Sequence, residues 1–155
     1  MNVAEALRTL SSRLVIGWLE YVALPELHIP LMTAKTDTGA RTASLHASEI
    51  EGYTDAGAPF VRFLPPQQWV VPDFRGQAVA LPVADRRSVR NTGGMNQTRY
   101  VVMTTLRIAH LDLEIEINLT DRTPMQYDML LGRTTLCERF LIQPCITYAA
   151  GKPQA

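Results

Sequence analysis

The segment Asp37-Thr38-Gly39-Ala40 constrains this chain more than anything else in it. It follows an apolar-rich run at 31–34. Far downstream a second segment, Met129-Leu130-Leu131-Gly132-Arg133, again runs from apolar residues into glycine. A carboxylate on a tight turn at a strand end, with glycine beside it, lets backbone amides approach the acid closely. Asp-Thr-Gly alone is a weak signal, because three common residues recur by chance at ordinary turns. The second segment, in order and in a β-rich chain, raises its weight. The motif occurs once, and a single copy offers a single carboxylate.

The rest of the chain reads as mainly β. Residues 14–24 and 31–36 are expected strands, bracketing a turn marked by Pro25 and Pro30, and 42–48 continues as a strand leaving the motif. Residues 60–64 form a short strand ended by Pro65-Pro66, and 67–77 is an excursion with little regular structure. Residues 52–80 could wall a cleft or form only a surface loop. The clearest periodicity is Leu111-Asp112-Leu113-Glu114-Ile115-Glu116-Ile117-Asn118-Leu119, whose unbroken alternation puts apolar side chains on one face of a half-buried strand. Residues 100–108 are expected to pair with it through the Ala109-His110 turn. Upstream, Asn91-Thr92-Gly93-Gly94 sits between two strand-like arms, 78–90 and 97–108, and predicts a hairpin turn. Residues 134–140 suggest a short helix and 141–148 a last strand. Together these predict a small closed or nearly closed barrel.

A length of 155 residues with 46% hydrophobic content fits one domain that buries a core without disulfides or metal. Residues 1–13 read as an N-terminal extension, a short helix or disordered, with 14–148 as the domain and 149–155 as a poorly ordered tail. Nothing in 1–13 has a signal peptide's apolar run, and no apolar stretch is long enough to cross a membrane. Cys137 and Cys145 are the only cysteines and are expected as small buried hydrophobes, which with the rest points to the cytoplasm.

The formal net charge is zero, yet thirteen of the fifteen cations are arginine. Arginine holds carboxylates through a planar fork, whereas lysine is a flexible point charge. Arg86, Arg87, Arg90 and Arg99 flank the predicted hairpin, Arg41 directly follows the motif, and Lys35 directly precedes it. These cations can instead be read as a solvated surface that pairs with the chain's own acids.

The two motif segments and the hairpin between them resemble the retropepsin superfamily of homodimeric aspartic proteases. The resemblance is closer to a bacterial family long labelled "ATP-dependent zinc protease" and associated with RimK-type glutamate ligases. It rests on Ala34-Lys35-Thr36-Asp37-Thr38-Gly39-Ala40, Ser44-Leu45-His46-Ala47, Ser88-Val89-Arg90, Arg99, Asp121-Arg122 and Leu130-Leu131-Gly132-Arg133, and covers roughly residues 13–148. It implies a retropepsin-like small closed β-barrel with one short C-terminal helix. The activity implied is an aspartic peptidase with Asp37, Thr38 and Gly39 as the catalytic loop. Thr92, Gly93, Gly94 and Met95 would form a flap, and Gly132 and Arg133 would support the loop, with Asp128 or Glu138 as Arg133's partner. Lys35, Ala40, Arg41, Arg86, Arg87, Arg90 and Arg99 would line a site for acidic, oligoglutamate-containing peptides or tails.

Carboxylate chemistry on a peptide needs two acids sharing a proton, one acting as base toward water and the other as acid toward the carbonyl. One Asp-Thr-Gly per chain therefore implies a homodimer with Asp37 facing itself across a two-fold axis. The partners expected are a second copy, a glutamate-tailed substrate and a RimK-type ligase, with no nucleic acid and no membrane. No cofactor is expected, and the zinc label finds no support: there is no His-Glu-x-x-His, no glycine-rich phosphate loop, and His28, His46 and His110 are scattered. Retroviral dimers interleave their chain ends, and the poorly ordered end expected at 149–155 puts carry-over of that interface in question here. A non-catalytic barrel that binds acidic peptides is the competing reading, followed by an adaptor in which the motif is accidental.

Overall fold

The computed structural model describes residues 2–90, 93–121 and 126–154. The chain opens with a short helix, α1 (Val3–Thr9), closed by a reciprocal cap in which Glu5 N donates to Asn2 Oδ1 and Asn2 N to Glu5 Oε2, each at 2.9 Å. Where one strand was expected over 14–24 there are two, β1 (Leu14–Ile16) and β2 (Leu19–Leu24). The break is at Gly17, where an added Cβ would stand 2.1 Å from the carbonyl oxygen of Ile146. Only a residue without a side chain lets the backbone pass there, and the next amide, Trp18 N, donates to that same oxygen.

A ring of six strands forms the core. The strand β3 (Ile29–Thr36) pairs antiparallel with β2 and leads into the Asp37 loop, and β4 (Ala43–His46) carries the chain away from it. The long hairpin of β9 (Asn96–Ile108) and β10 (Leu111–Thr120) turns at Ala109-His110 as expected, and β11 (Met129–Leu131) completes the set. Around the ring the order is β10, β4, β11, β3, β2, β9 and back to β10, with β2 and β9 joined at Ala23 and Arg107. Of the alternating face of β10, Ile115, Ile117 and Leu119 are buried with Leu45, Met32, Val102 and Leu106, and Leu111 and Leu113 pack at its edge. The fold is thus mainly β with a closed barrel, as its alternation predicts.

Residues 52–80 are more regular than the sequence suggests. Here β5 (Ser48–Asp55), β6 (Ala58–Leu64) and β7 (Val79–Pro82) make a separate three-stranded sheet. Its first turn places Ala56 at φ 50° and Gly57 at φ 83°, the left-handed pair that suits a two-residue hairpin. The arm expected at 78–90 divides accordingly: β7 joins this sheet, whereas β8 (Asp85–Arg90) pairs with β9. The helix expected at 134–140 is the single turn α2 (Arg133–Leu136), and the last strand is β12 (Phe140–Ile142), parallel to β1.

Over 149–154 the tail is fastened, contrary to the loose end expected. Glu20 is fully buried, and its carboxylate accepts from Gly17 N at 2.6 Å and from Ala149 N and Ala150 N at 3.0 Å each. Gln154 N donates to Ala109 O. Both cysteines are exposed and free, not buried: Cys137 caps α2 and Cys145 follows a proline in an open turn. Removing the Glu20 carboxylate strands three amides, so Glu20→Ala is expected to lower the unfolding free energy by about 3 kcal/mol. Denaturant unfolding followed by far-UV circular dichroism checks this, and a loss below about half that value would show that the anchor contributes little.

Candidate active site

Asp37 stands where β3 ends, and the structure explains how an acid is held there. Short β11 inserts between the strand entering the loop and the strand leaving it, parallel to β3 and antiparallel to β4. Asp37 N donates to Leu131 O, Arg133 N to Ala40 O and Thr134 N to Arg41 O, all at 2.9 Å. Gly132 passes beneath: a Cβ there would lie 2.6 Å from both the carbonyl carbon and the oxygen of Thr42. Arg133 supports the loop, but not through Asp128 or Glu138. Its Nη1 donates to the carbonyl oxygens of Thr38 at 3.0 Å and Gly39 at 3.1 Å. Asp128 is occupied elsewhere, accepting from Trp69 Nε1 at 2.8 Å and Gln68 Nε2 at 2.5 Å. Both acceptors of that one nitrogen are backbone carbonyls of the loop itself.

On the loop's open side the carboxylate is aimed by its own turn. Gly39 N donates to Asp37 Oδ1 at 3.0 Å and Ala40 N to the same oxygen at 3.2 Å. Both amides take one oxygen, and the other is the one that can engage a water. Thr38 is exposed at the tip.

Asp37 lines a cleft of about 490 Å³ with Gly39, Ala40, Arg41 and, from the β8–β9 hairpin, Arg87, Val89, Arg90 and Arg99. It is the one carboxylate among the described lining residues. Lys35 and Arg86 do not line it. Lys35 lies half-buried on β3 between Leu19 and Leu130, and Arg86 sits over the Tyr100 ring, 5.0 Å from its centre. Nor do residues 52–80 wall this cleft. At the hairpin tip Gly93, Gly94 and Met95 are exposed, Gly94 at φ 78°, and Thr92 lies outside the described residues.

The arginines in the cleft are not equivalent. Arg87 holds Glu116 with two parallel bonds, Nη1 to Oε1 at 2.7 Å and Nη2 to Oε2 at 2.8 Å, and its Nε donates to Asp85 at 2.7 Å. The pair with Glu116, then Asp85, raises the guanidinium's pKa further, and the same bond holds the Glu116 carboxyl below its usual range. Arg99 is buried. Its Nη1 donates to Asn118 Oδ1 at 2.9 Å and its Nε to Gln97 Oε1 at 3.2 Å. Ser44 Oγ donates to the same Asn118 oxygen at 2.9 Å. Glu116, Asn118 and Thr120 escape a motif-based reading. The signal available was on the polar face of β10, where Asp112, Glu114 and Glu116 give way to Asn118 and Thr120 as that face becomes buried.

With this geometry in view, the comparisons with known proteins decide the family. Residues 15–153 match the family described as RimB-like, retropepsin-like aspartic endopeptidase RimB. This chain belongs to that family. It is 33% identical over 146 residues to a Shewanella pealeana protein named "probable alpha-L-glutamate ligase", covering 91% of this chain and 31% of that one. A Desulfotalea psychrophila protein of the same name is 34% identical over 140 residues, covering 89% and 30%. The chain thus spans about a third of the length of the curated relatives it matches. A solved structure from Legionella pneumophila, a protein of unknown function, superposes with a TM-score of 0.72 at 25% identity, covering 88% of this chain and 97% of the other. The family description and the loop geometry agree on an aspartic-peptidase architecture. Among the described residues no helix is long and apolar enough to cross a membrane, and no group of three or more His, Cys, Asp or Glu is placed to hold a metal ion.

The Arg87–Glu116 bond ties the hairpin arm β8 to the barrel strand β10, and its pH dependence follows from the lowered carboxyl pKa. A depressed folded-state pKa contributes stability that is complete above the unfolded value and lost as pH falls through the folded one. Glu116→Gln should therefore cost about 1 kcal/mol near neutral pH, the scale of a partly screened pair. That deficit should shrink as the medium is acidified below the usual glutamate range. Denaturant unfolding of both proteins near neutral pH and near pH 3 is the check, and a deficit that stays constant between them would contradict it.

Proposed function

We propose that this protein is an aspartic peptidase that works as a homodimer, with a water activated between two Asp37 carboxylates. What carries the reading is a single carboxylate, fixed on one oxygen by the amides of Gly39 and Ala40, at the floor of a cleft that contains no other described acid. Glu116, the next acid along β10, is committed to Arg87. One chain therefore lacks a second carboxylate in position, and a two-fold partner supplies it as Asp37 again. Two such groups about 3 Å apart share one proton. The ionised one takes a proton from water as the oxygen bonds to the peptide carbonyl, and the protonated one gives its proton to the carbonyl oxygen. Collapse of the tetrahedral intermediate breaks the C–N bond, with a proton delivered to the departing nitrogen.

The substrate we infer is an acidic peptide, with an oligoglutamate tail as the best fit. Support comes from Arg41, Arg90 and Arg99 lining the cleft, and from relatives named for glutamate ligation. A hydrolase for glutamate chains acting beside a RimK-type ligase that makes them is the coherent arrangement. The β8–β9 hairpin would act as the flap, closing over the peptide and excluding water. The dimer contact would fall on the side of the exposed Thr38 tips, because the chain ends pair within one chain through β1, β12 and Glu20.

A digest of glutamate-tailed and untailed peptides, read by mass spectrometry, tests this. Cleavage confined to glutamate-containing peptides and abolished in Asp37→Asn, with its circular dichroism spectrum unchanged, is the expected result. Turnover retained in that variant would remove Asp37 from the mechanism. Efficiency should also fall steeply with added salt, since screening weakens steering into a cationic cleft, and a flat profile would exclude charge-led recognition.

A further inference from the structure

Of the four arginines that line the cleft, Arg87 is held by carboxylates of its own chain and Arg99 is built into the buried floor. Arg87 and Arg99 are directly opposite one another in the β8–β9 register. Arg87 is engaged by two carboxylates of its own chain, Glu116 and Asp85. Arg99 is only 4% exposed yet lines the cleft, with its Nε and Nη1 fixed on neutral amide oxygens of Gln97 and Asn118. Asn118 is itself anchored, its Nδ2 donating to Ala43 O at 3.1 Å and its Oδ1 also accepting from Ser44 Oγ. The guanidinium is therefore positioned rigidly from behind.

Thr120 lines the same cleft and is 1% exposed, and its hydroxyl has no hydrogen-bond partner among the described residues. A buried hydroxyl without a partner is costly and is a donor waiting for an acceptor. A hydroxyl and a buried guanidinium lining one cleft offer it donors with one positive charge, the complement of a carboxylate. An uncharged amide of the same shape would give up the charge and set N–H against N–H.

We propose that Arg99 and Thr120, backed by Asn118 and Ser44, form the subsite that selects a substrate carboxylate in the Asp37 cleft. This rests on the reading of that cleft as a peptide site, and it names where the acidic specificity resides. The carboxylate can come from a glutamate side chain or from the free C-terminus of the peptide, and the probes distinguish them. Arg87, committed to Glu116, tethers the hairpin and does not select.

The test reads binding in the Asp37→Asn background, so that it does not depend on turnover. Fluorescence anisotropy is measured with labelled hexaglutamate, hexaglutamine and C-terminally amidated hexaglutamate. Thr120→Val keeps the shape and removes the hydroxyl, and is expected to weaken hexaglutamate binding roughly three- to tenfold. Arg99→Lys keeps the charge and loses the fork, and Arg99→Gln loses both. The latter should cost roughly ten- to a hundredfold, with Arg99→Lys recovering part of it. Hexaglutamine binding should be unmoved by all three, and the surface variant Arg62→Gln should move nothing. Retained affinity for the amidated peptide assigns the subsite to a side chain, and its loss assigns it to the terminal carboxylate. If Thr120→Val, with an unchanged melting temperature, binds hexaglutamate as tightly as its parent, or loses both peptides equally, the subsite is refuted. The same holds if the parent protein does not prefer hexaglutamate to hexaglutamine. A protein that binds with this pattern but never cuts would sink the peptidase reading and leave the subsite standing.

Discussion

The contact of the Gly132 backbone against Thr42 is the constraint from which the site follows. A loop that leaves one strand and returns in another ordinarily pairs those strands with each other. Here β11 is threaded between them, and the chain fits only because residue 132 has no side chain. Three backbone bonds then join the loop to this third strand and to the helical turn α2 that follows it, and Arg133 closes the arrangement on the carbonyls of Thr38 and Gly39. The result is a turn with little freedom, whose amides converge on one oxygen of Asp37. Preorganised donors of that kind hold an acid in place without reorganisation during reaction. They do not supply a second acid, and that deficit is what turns a description of one chain into an argument about two.

Charge is distributed around this loop with a similar economy. The hairpin arm carries cations toward the cleft, but a like-charged pair directly opposite across two strands is unfavourable unless each member is compensated. Arg87 is compensated by Glu116 and Asp85 and becomes a strut between β8 and β10. Arg99 is held by neutral oxygens on a buried floor. Counting arginines along a hairpin cannot separate these roles. What separates them is which residue faces each guanidinium across the barrel.

Much of the fold was legible because it rests on local chemistry. The alternation at 111–119 gave β10 its face, Ala109-His110 gave its turn, and Asp37, Gly39 and Gly132 stand where a loop that needs close backbone approach requires them. The failures were long-range. Gly17 divides the first strand because Ile146, more than a hundred residues away, presses on it. The division of 78–90 into β7 and β8 depends on two different partners, β6 and β9, that no local window contains. Glu20 reads as one more strand carboxylate until the tail folds back onto it. Arg133 suggested a carboxylate partner by habit of charge, whereas the nearest acceptors were the carbonyls of the loop it supports.

The claim on which the account turns is that catalysis requires one Asp37 from each of two subunits. Mixing subunits tests it most directly: a fixed amount of wild-type protein is unfolded and refolded with increasing Asp37→Asn protein, and peptide hydrolysis is followed. If both carboxylates are needed, hybrids are dead, and activity per wild-type subunit should fall in proportion to the wild-type fraction of the mixture. If activity per wild-type subunit stays constant however much inactive partner is present, each chain works alone and the paired-acid mechanism is contradicted.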